Sequence, residues 1–519
     1  MLLTLLNPLD VAGTYPALSA LSVAALGDHY TDRALQTSLL FLSAAGVLRL
    51  SHVNDQPVGT WGLVLDTARR PDADTLDQYL RALQAQDGRL HPGPVGQVGP
   101  GGVIAQAQSQ AMTGWAQADL FEDPIWYFDG HTIEYTGQAR IGKTLHGTKH
   151  FSVKAVDEYC LFNHIPGLTC YFPTSVTYEQ ALRQMLLQAQ AALPADRQIC
   201  KLAFDKEGWN AGLIKWLVDK NIILLTWVKD TTTNRALLAN VDQQAWVDVD
   251  AVVTVGKSGQ EHRVVCVADV DLAFPDLGTW RVVVLETDAG TRIGIFTNAL
   301  RPADGPLDDE RVMSTLAVLN AMHHNQRIEN SFKVRGHEMD SNALPTHQVQ
   351  EVVQTEPYDL AKAQAQAAQA EKRLARYASD HTQHAELLAS GALAPSEFKI
   401  LTARTTRLQT QTQHLQDRMA QDLACVKTDD TTGQTVIERK RQVLDVHKLT
   451  LLNLFKDHAL VVLHLLAHLL GLDGAGPARL RREILAHGDR IEFDPGCKVM
   501  TVYAKPFPRA RAQLAPGDN

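Results

Sequence analysis

Apolar and polar positions change their spacing several times along the chain, and each change predicts a different kind of element. Residues 18–50 are rich in Ala and Leu at helical spacing, and residues 71–83 show a second helical pattern. We therefore predict an N-terminal helical domain over residues 1–92. Gly and Pro fill residues 91–102, a composition that excludes a helix or a central strand and predicts a linker.

The next stretch combines short apolar runs with helical patterns. Three apolar runs, at residues 125–128, 199–204 and 222–228, read as strands, and a helical pattern precedes each of the last two. Strands that are apolar on both faces and separated by helices are typical of an α/β sheet covered on both sides. We predict that residues 103–230 form the first part of such a domain.

The pattern of apolar and polar residues changes again after residue 230. Short alternating segments over residues 231–300 predict a β-rich insertion, and residues 301–358 return to a helical pattern. Residues 359–427, rich in Ala, Gln, Leu and Arg and broken once, predict an antiparallel helical hairpin. Residues 428–519 predict a long helix over 436–470, a short helix and a terminal β-hairpin.

Composition is ordinary for a globular protein, with 45% hydrophobic and 21% charged residues over 519 positions. The six cysteines are scattered without a CxxC pair, which argues against a disulfide framework or a zinc site and predicts a reducing compartment. The N-terminus lacks the features of a signal peptide. Residues 451–470 are apolar but carry Lys, Asp and His, so we predict a buried helix there, no membrane segment and a cytoplasmic protein.

Three acidic residues stand out as candidates for chemistry. Asp129 follows an apolar run in Phe-Asp-Gly-His, Asp205 follows another in Phe-Asp-Lys-Glu-Gly-Trp, and Glu329 lies in Arg-Ile-Glu-Asn-Ser-Phe-Lys on a predicted helix. Carboxylates brought together by folding form a hard, all-oxygen site of the kind that holds Mg²⁺ or Mn²⁺. Such a site suits phosphoryl transfer on a nucleic acid. The alternative is that these carboxylates merely cap helices and turns.

These three motifs resemble those of the DDE transposases of bacterial insertion sequences, and the resemblance covers residues from about 125 to 340. In that family the first Asp ends the first strand, the second ends a later strand, and the Glu lies on a helix after an inserted β-rich segment. The resemblance implies an α/β protein: an RNase H-like catalytic core with a β-strand insertion, flanked by an N-terminal helical domain and a C-terminal helical region.

The resemblance also implies the activity and its metal ions. Asp129 would bridge two Mg²⁺ (or Mn²⁺) ions, with Asp205 and Glu329 holding one each, and the reaction would be DNA strand cleavage at element ends followed by strand transfer. The chain departs from one subgroup of the family, which carries Tyr, Arg and Lys around its Glu. Those positions are occupied by Met322, Asn325 and Gly336 in this sequence.

Basic and aromatic residues near the three motifs are the candidate DNA contacts, since phosphate binding depends on local clusters of Lys and Arg. A solvated hairpin face is the alternative for those that follow Asp129. The net charge of −9 gives no general basic balance. The candidates are His131, Tyr135, Arg140, Lys143, Lys149, Lys229, Arg327, Asn330, Lys333 and Arg335.

Three hypotheses about function follow from the sequence. The first is a DDE transposase that binds double-stranded DNA, as element ends and as target, and acts as a homodimer or larger assembly. In that case the small N-terminal helices are a candidate helix-turn-helix-like DNA contact, although any small helical domain has the same pattern. The second is a catalytically inactive DNA-binding protein that retains the transposase fold. The third is a structural protein that acts through its helical hairpin.

Overall fold

The structure is a computed structural model, and its described residues fall into two compact units. The larger unit is built from residues 1–91, 98–349 and 444–519, and the smaller one consists, in its described part, of residues 350–443. The structure describes residues 14–19, 21–22, 30–47, 49–54, 71–87, 102–145, 151–254, 261–306, 308–324, 332–336, 339, 349–428, 435–444, 446–469, 479, 488–494 and 499–504.

Helices and sheet strands alternate through the middle of the larger unit. In chain order its helices are α1 (Thr14–Leu18), α2 (Asp32–Ala45), α3 (Ala73–Asp87), α4 (Gly102–Gln117), α5 (Tyr178–Ala192), α6 (Ala211–Asp219), α7 (Thr232–Ala239) and α8 (Thr315–His324). Its main-sheet strands are β1 (Trp126–Glu134), β2 (Lys143–Leu145), β3 (Ser152–Asn163), β4 (Ile165–Pro173), β5 (Lys201–Phe204), β6 (Ile223–Trp227), β7 (Trp246–Thr254), β8 (Glu261–Phe274), β9 (Gly278–Thr287) and β10 (Arg292–Thr297).

These strands form one mixed sheet in the order β2-β3-β1-β5-β6-β10-β9-β8-β7, with β4 paired to β3. The pairs β1–β5 and β5–β6 are parallel, and β1 is antiparallel to β3. The prediction of an α/β protein is therefore confirmed. The predicted β-rich insertion is present as β7 to β10, and it extends the main sheet through the antiparallel pairing of β10 with β6.

Local sequence signals explain why α5 lies where it does. The Thr177 side chain accepts a hydrogen bond from the Gln180 backbone N–H, and the Gln180 side chain accepts one from the Thr177 backbone N–H, which completes a capping box. Pro194 follows the helix, and its ring cannot continue one. Residues such as Leu182 and Met185 are fully buried against the sheet.

The sheet is covered on both faces. We call the side on which Phe128, Leu202 and Phe204 pack with α5 the α5 face. The opposite side, on which Tyr127 and Ala203 pack with α8, is the α8 face. Neighbouring residues of one strand thus divide between two cores, as alternation along an extended chain requires. This division decides to which side each candidate side chain of β1 projects.

The C-terminal part of the chain corrects one prediction. Instead of one helix over residues 436–470, the chain forms a strand at residues 435–444 and then α11 (His447–Leu469). Helix α11 packs against α2, α3 and β4, and its Lys448 pairs with Asp77 of α3. No helix among the described residues is long and apolar enough to cross a membrane.

The smaller unit contains the predicted helical hairpin, formed by α9 (Leu360–Ala389) and α10 (Pro395–Ala424). Beside it, β11 (Val349–Pro357), β12 (Val426–Thr428) and β13 (Thr435–Leu444) form a sheet in the order β11-β13-β12. The predicted terminal β-hairpin is also present, as β14 (Gly488–Asp494) paired with β15 (Val499–Ala504).

Candidate active site

The register of two parallel strands brings Asp129 and Asp205 together. Phe128 of β1 pairs with Phe204 of β5, and this is the last paired position of the two strands. Asp129 directly follows Phe128, and Asp205 directly follows Phe204. Because paired strands lie roughly 4.8 Å apart, Asp129 and Asp205 are neighbours at the carboxyl ends of a parallel pair, the usual location of ligand sites in α/β sheets.

Both aspartates project to the same face of the sheet. Phe128 and Phe204 pack on the α5 face, so the next side chain on each extended chain points the other way. The backbone at Asp205 is extended, with φ −73° and ψ 163°. Asp129 and Asp205 therefore lie on the α8 face, and each is half-buried.

Asp129 is not at the end of its strand, as the sequence predicted, because β1 continues to Glu134 along its antiparallel partner β3. The Asp129 carboxylate accepts a hydrogen bond from the backbone N–H of Gly130 over 2.8 Å. Gly130 cannot be enlarged freely, since a Cβ there would lie 2.6 Å from Cε1 of Tyr159. Strand β1 thus continues through the site along β3, and only its pairing with β5 stops.

Tyr178 of α5 lies beneath both aspartates. Its hydroxyl donates a hydrogen bond to the Phe128 carbonyl oxygen over 3.1 Å. Burial is the main cause that holds the pKa of Tyr178 well above its ordinary value, and the charges of Asp129 and Asp205 raise it further. The charges of both carboxylates thus raise the pKa of the same phenol, which is consistent with the adjacency given by the strand register.

A further acidic residue, which the sequence did not single out, lies on the α5 face. Asp157 of β3 faces Thr132 of β1, and the Thr132 hydroxyl donates a hydrogen bond to it over 3.1 Å. Burial raises the pKa of Asp157 to about 6, and the charge of Glu207 adds to this effect. The only sequence signal is the alternation in β3, where Asp157 falls on the same side as the buried Tyr159.

An open cleft of about 510 Å³ lies where β5 and β6 end. Its lining combines the aromatic ring of Tyr178 with two lysines and two acidic residues that follow the strands: Lys206, Glu207, Lys229 and Asp230. Both lysines are exposed. Cations at this edge can attract a phosphate group toward the aspartates, while Asp230 is already paired with Arg235.

On the α8 face, the helical segment 332–336 lies next to β1 and β3. The Phe332 ring stacks on His131 with 5.6 Å between ring centroids. Arg335, one helical turn later, forms an ion pair of 2.6 Å with Glu158. His131 and Glu158 are direct cross-strand partners. The segment thus contacts one pair of residues on the sheet, and His131 is two positions from Asp129.

Glu329 lies outside the described residues, as do Lys149, Arg327 and Asn330. Among the described residues, no group of three or more His, Cys, Asp or Glu side chains is placed to hold a metal ion. The two neighbouring aspartates still supply the hard oxygen donors that Mg²⁺ and Mn²⁺ prefer. Their chemistry fits such an ion, and a third ligand must come from another part of the chain or from substrate and water.

The remaining candidate DNA contacts divide into exposed and interior residues. Arg140, Lys143, Lys229 and Lys333 are exposed, and His131 is half-buried. Tyr135 is buried, with the Lys154 ammonium 5.9 Å from the centre of its ring. Arg335 is also interior, 1% exposed, and its guanidinium is held by carboxylates. We therefore leave Arg335 out of the DNA-contacting surface that the sequence suggested.

Comparison with known proteins gives a weak structural likeness. No protein family and no curated protein matches the chain. Among solved structures it is similar to the piggyBac transposase in a cryo-EM structure of that enzyme's synaptic complex with hairpin DNA. The two chains are 9% identical, the alignment covers 63% of this chain and 67% of that one, and the TM-score is 0.33. We draw no conclusion from a likeness at this level.

Proposed function

We propose that this chain is a metal-dependent DNA-cleaving and strand-transfer enzyme of the DDE transposase type. Asp129, Asp205 and Glu329 are its proposed carboxylates. The observation that carries the proposal is the register of β1 and β5, which makes Asp129 and Asp205 neighbours on one face of the sheet. Two acidic residues 76 positions apart in sequence meet there.

The surrounding fold supports an RNase H-like core as the finer description. The first Asp lies on β1, the second follows β5 directly, and four antiparallel strands separate the second from α8. This is the order that the family resemblance implies. The described residue nearest to Glu329 on its C-terminal side is Phe332, which packs against His131 on the face that carries Asp129. We propose Glu329 as the third carboxylate on the basis of its sequence motif alone.

Two Mg²⁺ or Mn²⁺ ions at these carboxylates would activate the attacking water or 3′-hydroxyl and stabilise the leaving oxyanion. The protein supplies the geometry. Asp129 is oriented by the Gly130 N–H, and Tyr178 on the opposite side of β1 donates a hydrogen bond to the Phe128 carbonyl oxygen. Because both aspartates are on adjacent strands of a sheet buried on both faces, their separation is fixed before any ligand binds.

The proposed substrate is double-stranded DNA, both as element ends and as target. Exposed Arg140, Lys143, Lys229 and Lys333 are proposed to contact phosphates, with Lys149, Arg327 and Asn330 assigned from the sequence alone. His131 lies on the strand that carries Asp129, and Tyr135 directly follows that strand. Both residues are proposed to border this surface. Lysines on an otherwise acidic protein give a local rather than a general attraction for DNA. We further propose that the enzyme acts as a homodimer or a larger assembly.

The test is cleavage of labelled DNA that bears the flanking ends of the native locus, in Mg²⁺, Mn²⁺ or EDTA. Asp129→Asn, Asp205→Asn and Glu329→Gln are each expected to abolish the metal-dependent nicks. Asp157→Asn is the matched control, since it removes a nearby carboxylate from the opposite face of the sheet. Nicking by wild type that survives in Asp129→Asn and Asp205→Asn would contradict the proposed site.

Metal binding provides a second readout that does not require the correct DNA. A ligand that binds only the folded state stabilises it by about 2.7 kcal/mol at a concentration of 100 times its dissociation constant. Mn²⁺ should therefore raise the melting temperature of the wild type and of Asp157→Asn, but not that of Asp205→Asn. If wild type binds the DNA and the metal yet never cuts, the catalytically inactive binding protein becomes the better description.

A further inference from the structure

The helical hairpin of the smaller unit has a thin interior. Helices α9 and α10 each contain 30 residues, which corresponds to a length of about 45 Å. Among the side chains described along that length, those that are buried belong to Ala363, Ala370, Thr405 and Met419. Three of these four side chains are small, so the contact between the two helices buries little apolar surface. Helices in proteins gain most of their stability from packing an apolar face, and this hairpin has apolar surface left over.

Much of that surface lies in one row on α10. Leu401, Leu408 and Leu415 follow each other at intervals of seven residues, which is close to two turns, so they project to one side of the helix. Leu401 is half-buried, whereas Leu408 is 36% and Leu415 is 44% exposed. Thr405 and Met419, four residues after the first and the last of these leucines, are buried instead. We call Leu401, Leu408 and Leu415 the leucine row.

The position of the leucine row is typical of a helix that packs against more than one neighbour. A two-stranded pair needs a single narrow seam, whereas a helix of a bundle has a broader apolar stripe. On α10 the buried seam contains a threonine, and the larger leucines lie beside it. Isolated exposed leucines are common on protein surfaces, but these three line up over about 21 Å of one helix. The row therefore fits the side of another helix.

The charges along α10 indicate which helix that is. Residues 395–409 contain three basic residues and one acidic residue, a net charge of +2, and residues 410–424 contain two acidic residues and one basic residue, a net charge of −1 with His414 neutral. Antiparallel pairing of α10 with another copy of itself places the basic half of each helix beside the acidic half of the other. Parallel pairing places like charges together, which is unfavourable. The charged residues are Glu397, Lys399, Arg404 and Arg407 in the first half and Asp417, Arg418 and Asp422 in the second.

The leucines are compatible with the same antiparallel arrangement. When Leu408 of one copy lies beside Leu415 of the other, two-fold symmetry repeats this contact, because both molecules present the same surface. In that register Arg404 of each copy is one helical turn from the position opposite Asp422 of the other. The apolar centre is then flanked at both ends by opposite charges. A surface of leucines and charges of both signs suits a protein helix better than the uniformly negative backbone of DNA.

We propose that the leucine row of α10 is a self-association surface, on which α10 of a second copy of this chain packs in antiparallel orientation. Two hairpins joined in this way form a four-helix bundle. The inference rests on the proposed function only in that it gives a surface to the assembly proposed there, and the association itself requires neither DNA nor metal. Arg404 and Asp422 set the orientation in this arrangement, and Leu408 and Leu415 supply the buried area.

The test is sedimentation equilibrium of the full chain, without DNA and in EDTA, over a range of protein concentrations. Burying the exposed part of each leucine is worth about a 3- to 8-fold change in an equilibrium constant, and each leucine occurs twice in a two-fold interface. Leu408→Gln and Leu415→Gln should therefore each raise the dissociation constant of the dimer about 10- to 60-fold. Leu360→Gln is the matched control, because Leu360 is 37% exposed and lies on α9. It should leave the dissociation constant unchanged.

Charge exchange tests the orientation of the two helices. Arg404→Glu brings acidic side chains together at both ends of the interface, and Asp422→Arg brings basic ones together. Because exposed ion pairs are individually weak, each variant should raise the dissociation constant about 10-fold at low ionic strength. The double variant Arg404→Glu/Asp422→Arg should restore the value of the wild type, since opposite charges meet again. Far-UV circular dichroism checks that every variant keeps its helices.

The outcomes separate this inference from the proposed function. A wild type that is monomeric at every concentration overturns the inference, and so does a dimer that Leu408→Gln and Leu415→Gln leave unchanged. If the wild type is monomeric and Leu408→Gln instead weakens its binding to labelled DNA, the leucine row contacts DNA. A double charge variant no better than the single ones overturns the antiparallel orientation. A wild type that dimerises through the row but shows no metal-dependent cleavage loses the proposed function and keeps this surface.

Discussion

Asp157 offers a quantitative test of the electrostatics beside the proposed site, through the substitution Asp157→Asn. Asp157 is 9% exposed, and its one described side-chain donor is the Thr132 hydroxyl at 3.1 Å. Burial raises the pKa of this carboxyl from 3.8 to about 6, and the nearby Glu207 adds to the shift. Asn retains an oxygen that can accept the Thr132 hydrogen bond but cannot ionise.

The magnitude follows from the pKa difference between the folded and unfolded states. A difference of about two units is worth about 3 kcal/mol at 1.36 kcal/mol per unit. Because the folded carboxyl has the higher pKa, the folded state binds more protons between pH 3.8 and about 6, and stability is lost as the pH rises through that window. Above it, the charged Asp157 carries the full penalty. Asp157→Asn should therefore be more stable than wild type by up to about 3 kcal/mol at pH 7.5, and nearly equal to it at pH 3.5.

The assay is chemical denaturation in EDTA from pH 3.5 to pH 8, followed by tryptophan fluorescence. Every tryptophan of the chain lies before residue 281, so this signal reports the larger unit. Asp196→Asn, at a side chain that is 80% exposed, is the control for removing a charge without burial. A stability difference between Asp157→Asn and wild type that is constant across the pH range, or a variant that is less stable at pH 7.5, would refute the reasoning.

Three further substitutions test other contacts of the larger unit. Gly130→Ala should lower the free energy of unfolding by about 1–3 kcal/mol in urea titrations, because its Cβ would lie 2.6 Å from the Tyr159 ring. Arg281→Ala should lower it by about 1–3 kcal/mol in the same assay, since the half-buried Asp269 loses its 2.7 Å ion pair with Arg281 and retains the one with Arg301. Burial lowers the pKa of His458 to about 3, so the contribution of His458 alone should cost the wild type about 2 kcal/mol of stability between pH 7 and pH 5, as the unfolded state takes up protons first. His458→Leu should lose that much less in melts at the two pH values, and an equal loss would contradict the assignment.

The elements that could be predicted from sequence are those that depend on local rules. The capping box at Thr177, the helical hairpin and the strands before Asp205 and around residue 225 all follow from spacing, caps and turns within a few residues. The adjacency of Asp129 and Asp205 was also accessible, because parallel strands joined by a helix present their carboxyl ends at one edge of a sheet. The adjacency of the two aspartates can therefore be predicted from the α/β pattern alone.

Elements that depend on distant partners were predicted less well. Residues 435–444 carry enough helix-forming residues to extend a helical pattern, but they form β13 because β11 and β12 supply hydrogen-bonding partners on both sides. Asp129 was expected at a strand end because the apolar run stops there. The strand continues because β3 pairs with it as far as Glu134, a partner whose register the sequence of β1 does not contain.

Arg335 shows the same limit for a functional residue. A basic residue six positions after a candidate catalytic Glu, beside Lys333, fits the pattern of a phosphate contact. Its buried position is determined by its ion pairs with Asp457, which is 122 residues away, and with Glu158 on β3. The positions of charged residues along the sequence do not reveal whether a buried carboxylate pairs with the guanidinium in the folded protein. Exposure therefore separates Lys333, which remains a candidate DNA contact, from Arg335, which does not.

The two proposed aspartates and the neighbouring segment 332–336 are held in place by different kinds of interaction. Asp129 and Asp205 are placed by backbone pairing of β1 and β5 inside a sheet that is covered on both faces. Substitutions of distant side chains scarcely change that spacing. Segment 332–336 instead depends on side chains from β1, β3 and α11. The placement of the two aspartates is therefore less sensitive to single side-chain substitutions than that of this segment, and intact Asp129 and Asp205 alone do not establish an active enzyme.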